Sequence, residues 1–251
     1  MRPALDRPAV RQAAALAVFL ALWESFARLG LLNAFFFPPP SRIGLALVSL
    51  FIEGNIWPHL AATFSAALLG LFFGIVVGVV LGVAAALTPR LAELLEPVMI
   101  LLNAIPRVIL APLFVIWLGI GLGSKVAVAF VLVAVLIFFT VYTGIEEVDR
   151  RLVERVTTLG GGRSVLLREV YLPSLTAWIL GNLKVALGFA FTGATVGEFV
   201  AATRGLGYLL SFAQSTYNAA LVMAIIVLIM AFVLVLFALA GTLERRLIRW
   251  R

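Results

Sequence analysis

The chain has 251 residues, 63% of them hydrophobic and only 12% charged, with a mean hydropathy of +1.15. A water-soluble domain is nearer half apolar and a quarter charged, so the bilayer must be the main solvent. Cysteine is absent and His59 is the single histidine, which excludes disulfides, thiolate chemistry and histidine-cluster metal sites.

A helix needs about 20 apolar residues to cross a hydrocarbon core. The least apolar candidate is 13–32, which ends in Glu24 and Arg28. Arg2, Arg7 and Arg11 precede it as in a signal peptide, but no small-residue cleavage site follows, so an uncleaved anchor is expected. His59, after Trp57-Pro58, is expected in an exposed loop. The second span is 60–87, where Gly70, Gly74, Gly78 and Gly82 recur every four residues. That spacing makes one smooth stripe against which another helix can pack closely. The third span, 98–118, is interrupted by Asn103, Pro106, Arg107 and Pro112. Helices broken at membrane depth are tolerated where they line a cavity or pack in protein, so Asn103, Pro106, Arg107 and Leu110 are expected to border a path or gate.

The fourth and sixth spans, 126–145 and 219–240, are charge-free. The fifth, 175–197, carries Lys184, with Glu198 just beyond it. Charge at membrane depth is costly and faces a pore or a partner. Lys184 and Glu198 would lie about 21 Å apart along one helix and cannot pair with each other. Lys184 is expected to snorkel toward the cytoplasmic end or line the pore. Glu198 is expected near the outer end, as a cap or gate partner to the residues around Arg204.

Six spans put both termini on one side. With the N-terminus in the cytoplasm, the inside segments carry thirteen basic residues and the outside segments four, Arg28, Arg42, Lys125 and Arg204. This asymmetry sets the orientation and accounts for the net charge of +7 without nucleic acid. Residues 148–173 then form a cytoplasmic loop between the fourth and fifth spans. Val148, Leu152, Val156 and Leu159 recur at helical spacing amid charge, and Gly160-Gly161-Gly162 stops the helix. A second short helix is expected from Arg163 to Tyr171, after which Pro173 resets the chain. A helix, glycine turn, helix and proline make a rigid protrusion rather than a loose loop, with an amphipathic connector lying on the lipid headgroups as the alternative.

No catalytic signature is present. "GIGLGSKV" fails the P-loop pattern because Ser124 precedes Lys125 and Val126 follows it, and neither G-x-S-x-G nor H-E-x-x-H occurs. The chain is therefore not expected to be an enzyme or to bind a cofactor. If ATP drives it, ATP and magnesium belong to another subunit.

From Glu154 the chain reads Glu154-Arg155-Val156-Thr157-Thr158-Leu159-Gly160, then nine residues, then Val170-Tyr171-Leu172-Pro173. This resembles the EAA signature of ABC importer permeases, with Arg155 and Val156 in place of the two alanines. "IPRVILAPLFVIWLGIGLGSK" (105–125) and "GNLKVALGFAFTGATVGEFVAATRGLGYLL" (181–210) resemble the nitrate, sulfonate and taurine branch of that family. The resemblance implies an all-α membrane protein with six transmembrane helices and the type I importer fold. It implies an N-terminal segment at 1–58, a permease core at 59–245 containing the coupling loop 148–173, and a basic cytoplasmic tail at 246–251. Glu154, Arg155, Val156, Leu159, Gly160, Leu172 and Pro173 would couple it to the ATPases.

The same resemblance implies a homodimer of permeases in a bacterial inner membrane. Its partners would be two ATPase subunits and a periplasmic or lipid-anchored solute-binding protein. The solute would be a small anion such as a sulfonate, nitrate, bicarbonate or carboxylate. An ion-coupled secondary transporter is the alternative, but it would be expected to show an inverted repeat. An integral membrane enzyme lacks the clustered polar residues it would need.

Overall fold

The computed structural model describes residues 8–53 and 56–247; the side chains of Pro8, Ala9, Arg107, Arg163, Leu243 and residues 245–247 lie outside that description. Every regular element among the described residues is helical: α1 (Pro8–Arg28), α2 (Pro40–Ile52), α3 (Ile56–Leu87), α4 (Pro89–Ala104), α5 (Arg107–Leu118), α6 (Leu122–Glu146), α7 (Arg150–Thr158), α8 (Arg163–Leu166), α9 (Leu172–Val200), α10 (Leu206–Ser215) and α11 (Ala219–Leu247). Backbone groups have no water to bond to in a bilayer, so a chain this apolar has to satisfy them within helices. Among the described residues five helices are long and apolar enough to cross a membrane, and the bent pair α4–α5 passes the same test when its two halves are taken together.

The chain divides into two compact units. One comprises Met1–Trp57 with Leu209–Met230. Within it, Glu24 near the end of α1 accepts from the backbone N–H and the hydroxyl of Ser41, at 2.9 and 2.7 Å. A carboxylate beside the first turn of α2 suits the partial positive charge of a helix N-terminus. The other unit comprises Pro58–Tyr208 with Ala231–Arg251.

α6 is the axis of this second unit. Thirteen of its residues are buried, from Ser124 to Ile145. On one side the glycine stripe of α3 lies against it. A Cβ on Gly70 would sit 2.4 Å from that of Ala129, and one on Gly74 2.6 Å from that of Val133. The contact continues at Gly78 against Ile137 and Gly82 against Val141. On another side α9 approaches as closely, with Gly193 on the Ala129 backbone and Gly197 on Lys125. Lipid tails are as apolar as leucine, so helix association in a membrane relies on such close packing.

Three features depart from the sequence reading. The third span breaks at Ile105-Pro106 with a bend of 106°, whereas Pro112 sits inside α5. Proline disfavours the helical conformation in the residue before it, and Ile105 is extended at φ −67°, ψ 127°. Pro173 resets nothing, because one helix runs continuously over Ser164–Val200. A π turn at Leu167–Tyr171 precedes the proline, and the Leu172 N–H reaches the Leu167 carbonyl. Pro173 follows that wider turn, which relieves the clash of its ring with the preceding carbonyls inside the helix. Finally, α2 and α10 occupy stretches expected to be connections.

Replacing Gly74 by alanine should lower the thermal unfolding midpoint of the detergent-solubilised protein, because overpacking of this kind costs about 1–3 kcal/mol. Gly44→Ala, where a Cβ meets nothing within 4 Å, should not. Equal midpoints would show that α3 and α6 can separate without cost.

Candidate functional site

Three regions of the second unit carry polar chemistry, one built locally and two assembled from distant helices. The first is the protrusion. Asp149 caps α7, its side chain accepting from the Arg151 N–H at 2.9 Å. At the other end, Gly161 N–H bonds the Val156 carbonyl at 2.9 Å and Gly160 N–H bonds the Thr157 carbonyl at 3.0 Å. This is the Schellman closure, and Gly160 supplies the left-handed residue it needs, at φ +81°. Gly161 is just as constrained, since a Cβ there would lie 2.5 Å from Val156 Cγ1. The turn leaves Leu159 82% exposed at its tip. Glu154 and Arg155 are exposed, while Val156 is half-buried against the turn. Leu172 and Pro173 are exposed at the start of α9, one helical stretch beyond.

The second region is a cleft of about 530 Å³ between the break after α4 and the facing sides of α6 and α9. Asn103 lines it, together with Thr140 and Thr143 of α6 and Trp178 and Asn182 of α9. Phe139 and Phe189 add aromatic wall, and Glu147 stands in the lining as well. Trp178 is held by a close approach: a Cβ on Gly144 would fall 1.8 Å from its ring. Of the residues expected at a path, the cleft takes in Asn103 alone. Pro106 makes the bend, and Leu110 is buried at 6% exposure away from the lining. The Arg107 side chain lies outside the described residues.

Two signals could have found the cleft. Thr140, Thr143 and Glu147 follow the i, i+3, i+7 spacing of one helix face, as Trp178 and Asn182 follow i, i+4. Except for Glu147, these residues lay inside runs whose mean hydropathy masked their polarity.

The third region surrounds Glu198, which is 2% exposed. Thr63 of α3 donates to its Oε2 at 2.8 Å, and the Gly207 N–H donates to the same oxygen at 3.0 Å. Leu206 N–H bonds Thr63 Oγ1 at 2.8 Å, and Gly205 N–H donates to His59 Nδ1 at 3.1 Å. A Cβ on Gly205 would collide with the Glu198 carboxyl at 2.1 Å, and one on Gly207 with the Thr195 carbonyl at 2.2 Å. The Arg204-Gly205-Leu206-Gly207 turn is thus folded onto the carboxylate.

Two expectations are corrected here. His59 is no loop residue: it lies in α3, half-buried, stacked on Tyr208 with ring centroids 5.8 Å apart. Lys125 belongs to the first turn of α6 rather than to an outer loop and is 4% exposed. Its Nζ donates to the Ile120 carbonyl and, at 3.3 Å, to Ser124 Oγ. Lys125, Arg204 and Glu198 line a small pocket of about 140 Å³. Glu198 Oε1 is buried without a partner among the described residues, and a pocket of this size has room for an ordered water.

Lys184 lines none of the cavities described above. It pairs with Glu244 of α11 at 2.9 Å, so the one charge inside the fifth apolar run has a partner of opposite sign. Among the described residues no three histidines or carboxylates gather as a metal site.

The larger unit thus carries a polar cleft beside the bend after α4 and an exposed, charged helix–turn–helix at α7–α8. Residues 74–249 match the family of binding-protein-dependent transport system inner membrane components, and the chain belongs to that family. It is similar to the riboflavin transport system permease protein RibX of Chloroflexus aurantiacus, at 38% identity over 97% of this chain and 91% of the relative. It is also 31% identical to the taurine transport system permease protein TauC of Escherichia coli, over 98% of this chain and 91% of that one. Among solved structures, an inward-facing form of the MetNI methionine ABC transporter superposes with a TM-score of 0.64 at 23% identity. The match covers 79% of this chain and 96% of that one. The fold is the type I ABC importer transmembrane fold, and the chain is a multi-pass permease component of the taurine and sulfonate permease branch.

Glu198→Ala should free the Gly205-Leu206-Gly207 turn, since a buried donor left unsatisfied costs about 1–3 kcal/mol. In this cysteine-free chain, a Thr203→Cys reporter should then label faster with a water-soluble maleimide. Glu198→Gln keeps an acceptor oxygen and should label nearly as slowly as the parent. Identical rates in all three would mean that the carboxylate does not hold the turn.

Proposed function

We propose that the chain is the membrane path of an ATP-driven importer whose nucleotide-binding subunits dock on the α7–α8 protrusion. The observation that carries this reading is the Leu159 side chain, 82% exposed on a turn locked by two backbone hydrogen bonds. An exposed leucine on a rigid tip suits an apolar groove in a partner. A stiff tip can also pass on displacement that a loose loop would absorb. Glu154, Arg155, Val156 and Gly160 shape the docking surface, and Leu172 and Pro173 lead motion into α9. The π turn at Leu167–Tyr171 lies between the two, where a local change of helical pitch would let the protrusion rotate against α9.

In this reading two copies of the chain face each other, and a solute-binding protein delivers cargo on the side opposite the protrusion. ATP and magnesium stay on the docked subunits, and their closure turns the path outward by alternating access. The N- and C-termini are cytoplasmic. Arg150, Arg151, Arg155 and Arg168 cluster at the protrusion, and burial of Lys125 in α6 leaves still fewer cations in outer loops, as the positive-inside rule asks. Two solute chemistries come with the relatives. The small-anion class expected from the sequence rests on the taurine relative; a flat aromatic solute rests on the riboflavin relative.

The test is capture of the ATPase encoded beside this chain, from solubilised membranes. Leu159→Asp should abolish capture while leaving folding intact, because the residue touches little of its own chain. Gly160→Val, which forces a β-branched residue to positive φ, should weaken it. An ATPase that binds Leu159→Asp as tightly as the parent would place the docking surface elsewhere.

A further inference from the structure

Resting on the importer reading, the lining of the α6–α9 cleft defines what it can carry. We infer that it accepts an uncharged planar heteroaromatic solute with an amide-like edge rather than a small anion. Three features of the cleft support this.

The first is charge. Among the described residues that line the cleft, the only charged one is Glu147. An anion moved from water into a partly enclosed, low-dielectric space needs a cation or several N–H donors to replace its hydration. A carboxylate in the wall acts the other way.

The second is the direction of the hydrogen-bonding groups. A threonine hydroxyl has one proton and two lone pairs. Thr140 gives its proton to the Leu136 carbonyl at 2.9 Å, and Thr143 gives its proton to the Phe139 carbonyl at 2.6 Å. Both therefore present acceptors to the cleft. A sulfonate or nitrate offers only acceptors, so it would meet lone pairs with lone pairs. A ring N–H finds partners there. Asn182 spends one amide proton on the Trp178 carbonyl at 3.1 Å, and its amide together with that of Asn103 can answer ring carbonyls. Acceptors beside amides match the alternating N–H and C=O of an imide or lactam edge.

The third is shape. Trp178 lies in the wall with its ring against Gly144, where even a methyl group would not fit. Phe139 and Phe189 extend the aromatic surface in a space of about 530 Å³. That volume suits a fused-ring molecule and far exceeds a monatomic or sulfonate ion. Rings stack on such a wall whatever their substituents, and the hydrogen-bonding edge then sets orientation.

The probe is lumiflavin, an uncharged three-ring imide whose fluorescence is quenched by stacking on tryptophan. The full-length chain in nanodiscs should quench it saturably, and excess methanesulfonate should not restore the signal. Trp178→Leu, Gly144→Ala (which displaces the same ring) and Asn182→Asp should each weaken binding by about tenfold, the scale of one stacking or directed hydrogen-bond contact. Arg90→Gln, at an exposed arginine outside the lining, should leave it unchanged. Absence of saturable quenching overturns the proposal. Displacement by methanesulfonate overturns it in favour of an anion. ATPase capture on the same preparation separates the two readings: capture without lumiflavin binding removes only the solute class, and loss of both removes the importer reading.

Discussion

α6 is held between two glycine-bearing helices, and the polar features of the larger unit are placed by that clamp. The α3 stripe and the Gly193 and Gly197 positions of α9 bring backbone against backbone on different sides of one helix. Close approach multiplies dispersion contacts, each of them small, in a solvent that offers no hydrophobic drive of its own. It also fixes rotation: once the stripe faces Ala129, Val133, Ile137 and Val141, the other sides of α6 are assigned. Thr140, Thr143 and Glu147 then turn to the cleft because the remaining directions are taken.

The same clamp explains why polar groups can persist at membrane depth. Glu198 is tolerable because α3 arrives close enough to supply Thr63, and because a glycine-rich turn can fold onto the carboxylate with its N–H groups aimed inward. A side chain on Gly205 or Gly207 would push that backbone away. Lys184 is tolerable because α11 brings Glu244 to it. Cleft, turn and ion pair are thus consequences of how tightly neighbouring helices approach. The protrusion stands apart from them, being local in construction, with its own cap and its own glycine closure.

How far the site was legible in the sequence follows the same division. The helix and turn at residues 150–161 were readable because they signal locally, through an amphipathic face and a run of glycines. The far end of the protrusion was misread, since Pro173 suggested a break where a π turn carries the helix through. The spans were readable from hydropathy alone. The cleft was not, apart from Asn103, because a threonine pair in an apolar run carries no sign of which neighbour it faces. His59 and Lys125 were misplaced for one reason: both sit at helix starts, where hydropathy cannot separate the last loop residue from the first buried turn.

The sequence by itself determined the solvent, the apolar runs long enough to span it, the glycine faces available for packing and the capped helix and glycine turn at residues 149–161. Each depends on composition or on contacts within a few residues. The tertiary structure alone decided which polar residues meet. Thr63 finds Glu198 across 135 positions and Lys184 finds Glu244 across 60, while Trp178 settles on Gly144. Those pairings depend on helix rotation and depth, which packing sets only when all the neighbours are present.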